Sequence, residues 1–558
     1  MIGMDHAMKV ARDWMENPAF DEKTRAEAAR IAGNGEECLS AFGAELQFGT
    51  GGLRGILGTG TNRMNPYTVG RATLGLARYL GGKGKVVLAH DSRIGSEEFT
   101  RVAAQVLARE GVKALVFDRL APTPMLSFAV RELGCDAGIM ITASHNPAEY
   151  NGYKVYGPDG CQITDAAADA ITAEIEKLDY ISARLLPEEE ARAAGLWEDV
   201  PEEVRSAYAR KCLSCRVDPA ADAPIRVVYT PLHGAGLEPV RQVLGSMSGV
   251  QVIEVEEQCI PDGHFPTCPK PNPELDQALA LGLKKARETQ AELLLATDPD
   301  SDRMGVVLRR PDGSYEHITG NEAGLLLLDY VLSARQRLGT LPVHPVMVKT
   351  IVTSDLAFPI AQAYGCQVKE VLIGFKYIGE TIARLEEEGR EGDYVFGMEE
   401  SCGYLGGTHV RDKDGPMACM LFCEMAQSLK SQGTTPWERL QALYARYGFL
   451  CNRLLSFEIR SALPMEDMKK TMARFRENPP ETLAGQKIHT LRDYLPGLDG
   501  LPQSNVLSYA GESLKVILRP SGTEPKIKVY LMASTPSREE TQALLDRLEG
   551  ELNTLMRL

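Results

Sequence analysis

No stretch of this 558-residue chain approaches the roughly 18 uncharged apolar residues of a membrane span. The longest candidate, "AGLLLLDYVL", is broken by Asp329. The first twenty residues carry charges throughout, so they read as an amphipathic helix and not as a secretory leader. Positive charge is scarce too: 61 basic against 76 acidic residues leave a net −15, which argues against a non-specific nucleic-acid or polyphosphate binder. Twelve cysteines are spread thinly, and the close pair Cys212 and Cys215 in "CLSC" has no second such pair. Reduced thiols are therefore expected, and a zinc site is not. Also missing are the Lys-Ser/Thr of a Walker loop, the spacing of a dinucleotide fingerprint, the G-x-S-x-G hydrolase elbow and the EF-hand pattern. A cytoplasmic globular protein is expected, with neither nucleic-acid nor membrane partners.

What is present is a pattern of triplets. Length suggests about three to four domains. Strand-like runs come as "KVVLAHD", "KALVFD", "GIMITASHNP"; then "IRVVYTP", "VQVIEVE", "ELLLATDPDSDR"; then "PVMVKTIVTS", "CQVKEVLIG", "YVFGMEES". Helical stretches such as "EEFTRVAAQVLAREG" separate them, which implies βα units and largely parallel sheets. In each triplet the third run ends in a polar loop, and ligands of open α/β sheets gather at the carboxyl ends of strands. The C-terminal part reads instead as an α+β unit, with "NRLLSFEIR" and "SLKVILRPSGTEPKIKVYLMAS" as strands. Residues 180–220 read as a connection between the first two units.

The loops carry distinct chemistries. In "DPDSDR", Asp298, Asp300 and Asp302 alternate directly after an apolar strand, so a tight turn can fold three carboxylates around one Mg²⁺. A solvated acidic turn is the plain alternative. Such a metal needs an anionic partner, and a phosphorylated Ser144 in "TASHNP" would supply one. On spacing alone, the same stretch fits an ordinary Asn-Pro turn equally well. "FGTGGLRG" presents Arg54 from a flexible loop. "RPSGTEPK" joins Arg519, Ser521, Gly522 and Thr523 into a possible oxyanion cradle, or a polar hairpin turn. "GMEES" sets Glu399 and Ser401 on one side of an extended segment, where they can hydrogen-bond to sugar hydroxyls.

Five motifs in this order, "GTGGLRG", "TASHNP", "DPDSDR", "GMEES" and "RPSGTEPK", resemble the α-D-phosphohexomutase superfamily across nearly the whole chain. The initial helical stretch and "EESCGYL" suggest its phosphoglucomutase/phosphopentomutase branch. The resemblance implies an α/β fold of three consecutive α/β domains with mixed, mainly parallel sheets, plus a C-terminal α+β domain, heart-shaped around a central cleft. The boundaries expected are 1–215, 216–322, 323–450 and 451–558.

It also implies an intramolecular phosphotransferase. Ser144 would be the phosphoserine, with Ser144, Asp298, Asp300 and Asp302 around Mg²⁺ and glucose 1,6-bisphosphate as intermediate and activator. Arg54, His145, Lys154 and Lys376 match basic catalytic positions. His145 and Lys376 are expected to handle protons, and Arg54 and Lys154 to stabilise charge. Arg303, Glu399, Ser401, Arg411, Lys413, Arg519, Ser521, Gly522 and Thr523 are expected to bind substrate. Many relatives place glycines between the metal-binding aspartates, where this chain has Pro299 and Ser301. The leading reading is glucose 1-phosphate/glucose 6-phosphate interconversion by a monomer or homodimer acting on small sugar phosphates. Pentose or mannose phosphates are alternatives within the fold. A sugar-phosphate phosphatase and a non-catalytic sensor lie outside that mechanism.

Overall fold

The computed structural model describes all residues except Met1, Thr50, 460–463, 522–525 and 557–558. Among the described residues, four sheets of four or more strands follow one another along the chain, with a two-stranded hairpin, Thr482–Leu483 and Gln486–Lys487, beside the last. The first has strand order Leu53–Ile56, Tyr150–Tyr156, Ala137–Ile141, Lys85–His90, Lys113–Val116 and Trp197–Asp199. Its inner pairings are parallel, and the Tyr150–Tyr156 and Leu53–Ile56 strands close one edge antiparallel. Strand Ala137–Ile141 is buried at all five positions because helices cover both faces of the sheet, so it reads as an unbroken apolar run and not an alternating one.

Residues 180–220 are more than a connection. Ala114 N donates to the Leu196 carbonyl, Trp197 is buried, and Trp197–Asp199 forms the far edge of the first sheet. Three residues are too few to show a strand period in sequence.

The second sheet runs Tyr315–Ile318, Met304–Arg309, Leu293–Thr297, Ile225–Thr230 and Val250–Glu254. The third runs Gln367–Val371, Val346–Thr350, Tyr394–Glu399 and Gly403–Leu405. Each again combines a parallel core with antiparallel edge strands. The fourth is antiparallel throughout, led by the ten-residue strands Phe449–Glu458 and Lys526–Thr535, with helix Arg538–Leu555 across it.

Apolar packing divides the molecule unevenly. One continuous core runs from Val87 through Leu295 to Leu421 and joins the first three units. At its centre lies helix Gly415–Ser431, which starts at a Pro416 and an Asp414 cap and is buried from Gly415 through Leu429. The fourth unit has its own core around Val516, Val529 and Leu548. It meets the third through a smaller patch in which Ile351, Val352 and Leu372 pack on Tyr494, Ile517 and Tyr530. Three N-terminal helices, Ile2–Glu16, Glu22–Ala32 and Gly35–Phe42, pack around Trp14, Phe20 and Phe42. Among the described residues, no helix is long and apolar enough to cross a membrane.

Candidate active site

The fully buried strand Leu293–Thr297 runs straight into Asp298, and the chain turns back at once. Ser301 N donates to the Asp298 carbonyl (2.8 Å), with Ser301 at φ 52°. That left-handed backbone costs a serine about 1–2 kcal/mol relative to its ordinary conformations. The turn brings carboxylate oxygens of Asp298, Asp300 and Asp302 within 4.8 Å of one another, all buried. A neighbouring unit presses on it from behind. Gly415 N donates to the Ser301 carbonyl, and a Cβ at Gly415 would lie 2.6 Å from that oxygen, so only glycine fits there.

Each aspartate is held differently. Asp300 Oδ2 accepts from Lys154 Nζ (2.7 Å) and Thr123 Oγ1 (2.9 Å). Asp302 Oδ2 lies 3.2 Å from Lys413 Nζ, and Asp298 Oδ1 accepts from Arg303 N (3.1 Å). Yet Asp300 Oδ1 and Asp302 Oδ1 are buried with no hydrogen-bond partner. Orphaned carboxylate oxygens in dry surroundings are costly unless a cation meets them. Burial, with Asp300 and Asp302 beside it, holds Asp298 well above the usual carboxylate range; burial and Asp300 also raise Asp302. At Asp300 the effect of burial is outweighed by Lys154, and the carboxyl is pulled down. An all-oxygen donor set with spare buried lone pairs suits Mg²⁺, so the residues present fit that ion.

Ser144 arrives from the first sheet. It follows the buried strand Ala137–Ile141 and also has a left-handed backbone, φ 52°. Its hydroxyl donates to Asp298 Oδ2 (2.7 Å) and lies 3.2 Å from His145 Nδ1. Its amide donates to Thr142 Oγ1 (2.8 Å), and Thr142 in turn donates to Asp91 (2.6 Å). Arg93, beside Asp91 at 3.4 Å, organises the loop. Its guanidinium donates to the carbonyls of Ser144 (2.5 Å), Asn146, Pro147 (2.9 Å) and Tyr150 (3.0 Å). Burial, together with Arg303 and Arg54, keeps His145 well below the ordinary imidazole value. A neutral ring beside a hydroxyl is placed to accept its proton.

Residues 45–182, 206–313 and 319–447 match the alpha/beta/alpha domains I, II and III described for phosphoglucomutase/phosphomannomutase. A phosphoglucomutase of Staphylococcus epidermidis is 36% identical over 513 residues, covering 89% of this chain and 92% of that protein. One from Staphylococcus aureus is 35% identical over 518 residues, covering 90% and 92%. The open form of parafusin, a phosphoglucomutase from Paramecium, shares the fold with TM-score 0.68 at 17% identity, over 92% of this chain and 95% of that one. The chain belongs to the phosphoglucomutase/phosphomannomutase family. It is thus a member of the α-D-phosphohexomutase superfamily, with the three α/β units and the additional C-terminal sheet expected from its motifs.

Within this phosphohexomutase, the remaining predicted residues divide into those that reach the aspartates and those that do not. Ser144, His145, Lys154, Arg303 and Lys413 converge with the three aspartates. Arg303 also pairs with Glu274 (2.8 Å). Arg54 sits on the edge strand Leu53–Ile56, open to solvent, and interacts with the charges of Asp300, Arg303 and Asp302. Glu399 ends strand Tyr394–Glu399 and accepts from Gly374 N (3.1 Å); Ser401 follows half-buried in the turn. Arg519 lies half-buried on strand Leu514–Pro520 beside Tyr530, whose hydroxyl is affected by the charges of Glu400 and Glu399.

Lys376 pairs instead with Asp165 (2.9 Å) across two units. Arg411 is buried and turned to Glu386 and the Thr408 carbonyl. Ser521 N donates to the Lys526 carbonyl (2.8 Å), and Gly522 and Thr523 lie outside the described residues. Thr123, Asp91, Arg93 and Glu274 were not among the predicted residues. "HDSRIGS" and "APTP" follow the strands Lys85–His90 and Lys113–Val116 at their carboxyl ends, and that position was the available signal. Glu274 carried none.

Proposed function

We propose that this protein is a magnesium-dependent phosphoglucomutase that interconverts glucose 1-phosphate and glucose 6-phosphate through phosphorylated Ser144 and glucose 1,6-bisphosphate. The family relationship supports the class of reaction. One observation carries the mechanism: the Ser144 hydroxyl is hydrogen-bonded to an aspartate cluster that retains unpartnered buried oxygens. Asp298, Asp300, Asp302 and a phosphoserine oxygen would hold Mg²⁺. When bound, the ion supplies Lewis-acid polarisation of the phosphoryl group.

The chain's own groups do the rest. Lys154 and Lys413 fix Asp300 and Asp302 through one oxygen each and leave the other oxygen available. The left-handed backbone at Ser144, held by Arg93, points the seryl oxygen at the cluster. In the forward step a sugar hydroxyl bonds to phosphorus as the bond from the seryl oxygen to phosphorus breaks, and the hydroxyl's proton ends on the released seryl oxygen. In the return step Ser144 attacks the other phosphate of the bisphosphate, its proton passes to His145 Nδ1, and the bond from that phosphorus to the sugar oxygen breaks, the freed oxygen taking up a proton. Arg303 and Arg54 balance phosphoryl charge, Glu399 and Ser401 read sugar hydroxyls, and Arg519 with the following loop holds the phosphate that is not reacting. The fourth unit closes over the sugar and keeps out water, whose attack would hydrolyse the phosphoserine. The reading also takes 1–215, 216–322, 323–450 and 451–558 as the four domains and places the work among cytoplasmic sugar phosphates.

The test is a coupled assay with Mg²⁺ and a trace of glucose 1,6-bisphosphate on glucose 1-, mannose 1- and ribose 1-phosphate. Glucose 6-phosphate should form fastest, and Ser144→Ala should lower the rate by at least about 10⁴-fold. Faster turnover of mannose or ribose would overturn the sugar assignment. Release of inorganic phosphate without isomerised sugar would overturn the mutase.

A further inference from the structure

Cys212 and Cys215, without a metal-binding partner pair in the sequence, acquire partners from the third unit. Cys212 Sγ lies 3.9 Å from His409 Nε2 and 3.7 Å from Asp414 Oδ2, and those last two atoms are 2.8 Å apart. Among the described residues, only this trio and the catalytic aspartates bring three metal-ligating side chains so close. Cys212 belongs to helix Glu202–Ser214, whereas His409 and Asp414 bracket the segment carrying Lys413. Cys212 and Asp414 are fully buried, and the His409 side chain is 4% exposed.

The far sides of Asp414 and His409 are already occupied. Asp414 Oδ1 accepts from Tyr208 Oη (2.8 Å) and Met417 N (2.9 Å), which leaves Oδ2 directed at His409 and Cys212. His409 Nδ1 faces Cys215 Sγ at 3.6 Å, which leaves Nε2 for the cluster. Metal-ligating imidazoles and carboxylates are oriented by outer contacts of this kind. Gly407 makes the arrangement possible: a Cβ there would lie 2.5 Å from Cys215 Sγ and 3.0 Å from His409 Nδ1.

We infer that Cys212 Sγ, His409 Nε2 and Asp414 Oδ2 form a second metal site, built for a thiophilic divalent cation such as zinc, with water completing a tetrahedron. With bonds of about 2.0–2.3 Å, tetrahedral ligand atoms stand about 3.3–3.6 Å apart. The sulfur contacts are close to that already, and the His409–Asp414 gap opens by about half an ångström as an ion replaces the shared proton. A thiolate and an imidazole select against Mg²⁺, while the all-oxygen aspartate cluster suits it, so the two sites take different ions. The ion ties helix Glu202–Ser214 to both ends of segment 409–414. If the proposed function is right, it thereby positions Lys413, whose Nζ is 3.2 Å from Asp302.

The test is spectroscopic and independent of turnover. The full chain, stripped with chelator and saturated with Mg²⁺, is titrated with Co²⁺. The expected result is one Co²⁺ per chain with a thiolate-to-metal charge-transfer band in the near ultraviolet, which the sulfur-free aspartate site cannot produce. Cys212→Ser should weaken Co²⁺ binding at least about 100-fold and abolish the band, whereas Cys215→Ser should keep it. Protein purified from zinc-replete medium should carry one zinc per chain in excess Mg²⁺, a measurement that needs no variant to fold. No band in the unaltered chain, or a band that survives Cys212→Ser, overturns the site. Because sugar-phosphate turnover is not read, that failure would leave the phosphoglucomutase proposal standing.

Discussion

Two clusters of basic side chains and carboxylates sit at junctions between units, and their charge balance differs. At the aspartate turn, Lys154, Lys413 and Arg303 face Asp298, Asp300, Asp302, Asp412 and Glu274, three cations against five carboxylates. Between the third and fourth units, Lys349 and Lys515 each contact both Asp355 and Glu370 at 2.9–3.2 Å, two against two. The first cluster contains buried oxygens without partners, and the second contains none. A buried excess of negative charge is unstable until a cation arrives, whereas a balanced square needs no ligand. The first is therefore arranged for binding, and the second holds two units together. The second also lies where apolar contact is smallest, so charge pairing supports an attachment that the main core does not reach.

The sharpest test of this contrast is Asp298→Asn. It should lower turnover at least about 10³-fold by removing a proposed metal ligand, yet leave the melting temperature of the metal-free protein equal or raised, because like-charge repulsion is relieved. A clear loss of thermal stability in that variant would break the comparison. Next in size is Arg93→Lys, which keeps a charge beside Asp91 but cannot span four carbonyls. Its kcat should fall about 10²-fold as the seryl oxygen loses alignment, read also as slower phosphorylation of Ser144 by glucose 1,6-bisphosphate.

Lys515→Met leaves two carboxylates sharing Lys349. Asp355 is 41% exposed on its side chain, so solvent screening limits the loss to about 1–2 kcal/mol. Thermal unfolding should show that loss, with faster hydrogen exchange confined to the fourth unit.

The smallest effect concerns Glu400, whose carboxyl is raised to about 7 by burial and by Glu399. The fold prefers its protonated form, so its contribution is complete below the ordinary value of 4.5 and is lost as pH rises through about 7. Glu400→Gln should match the original chain near pH 4.5 and melt about one to two degrees higher near pH 8. Thermal scans at the two pH values check the sign.

Much of this was legible in the amino-acid sequence, for a physical reason. Apolar strands such as Leu293–Thr297 and Ala137–Ile141 have local signatures, and the polar residues that follow them occupy the sheet ends where ligands collect. Asp298, Asp300 and Asp302 lie within five residues, so one turn brings them together. Contacts across units had no such signature. Thr123 reaches Asp300 across 177 positions, and Lys376 finds Asp165 across 211. Arg411 shares a motif with Lys413 yet turns toward Glu386, because adjacent side chains leave an irregular segment in different directions.

Sequence by itself determined the α/β alternation, the family, the aspartate turn and the serine loop, because each rests on residues close together in the chain. Tertiary structure alone decided which charges remain unbalanced, which arginine holds the serine loop, and that Cys212 meets His409 and Asp414. Those outcomes depend on how separate units pack, and packing brings together groups whose separation along the chain bears no relation to their distance in space.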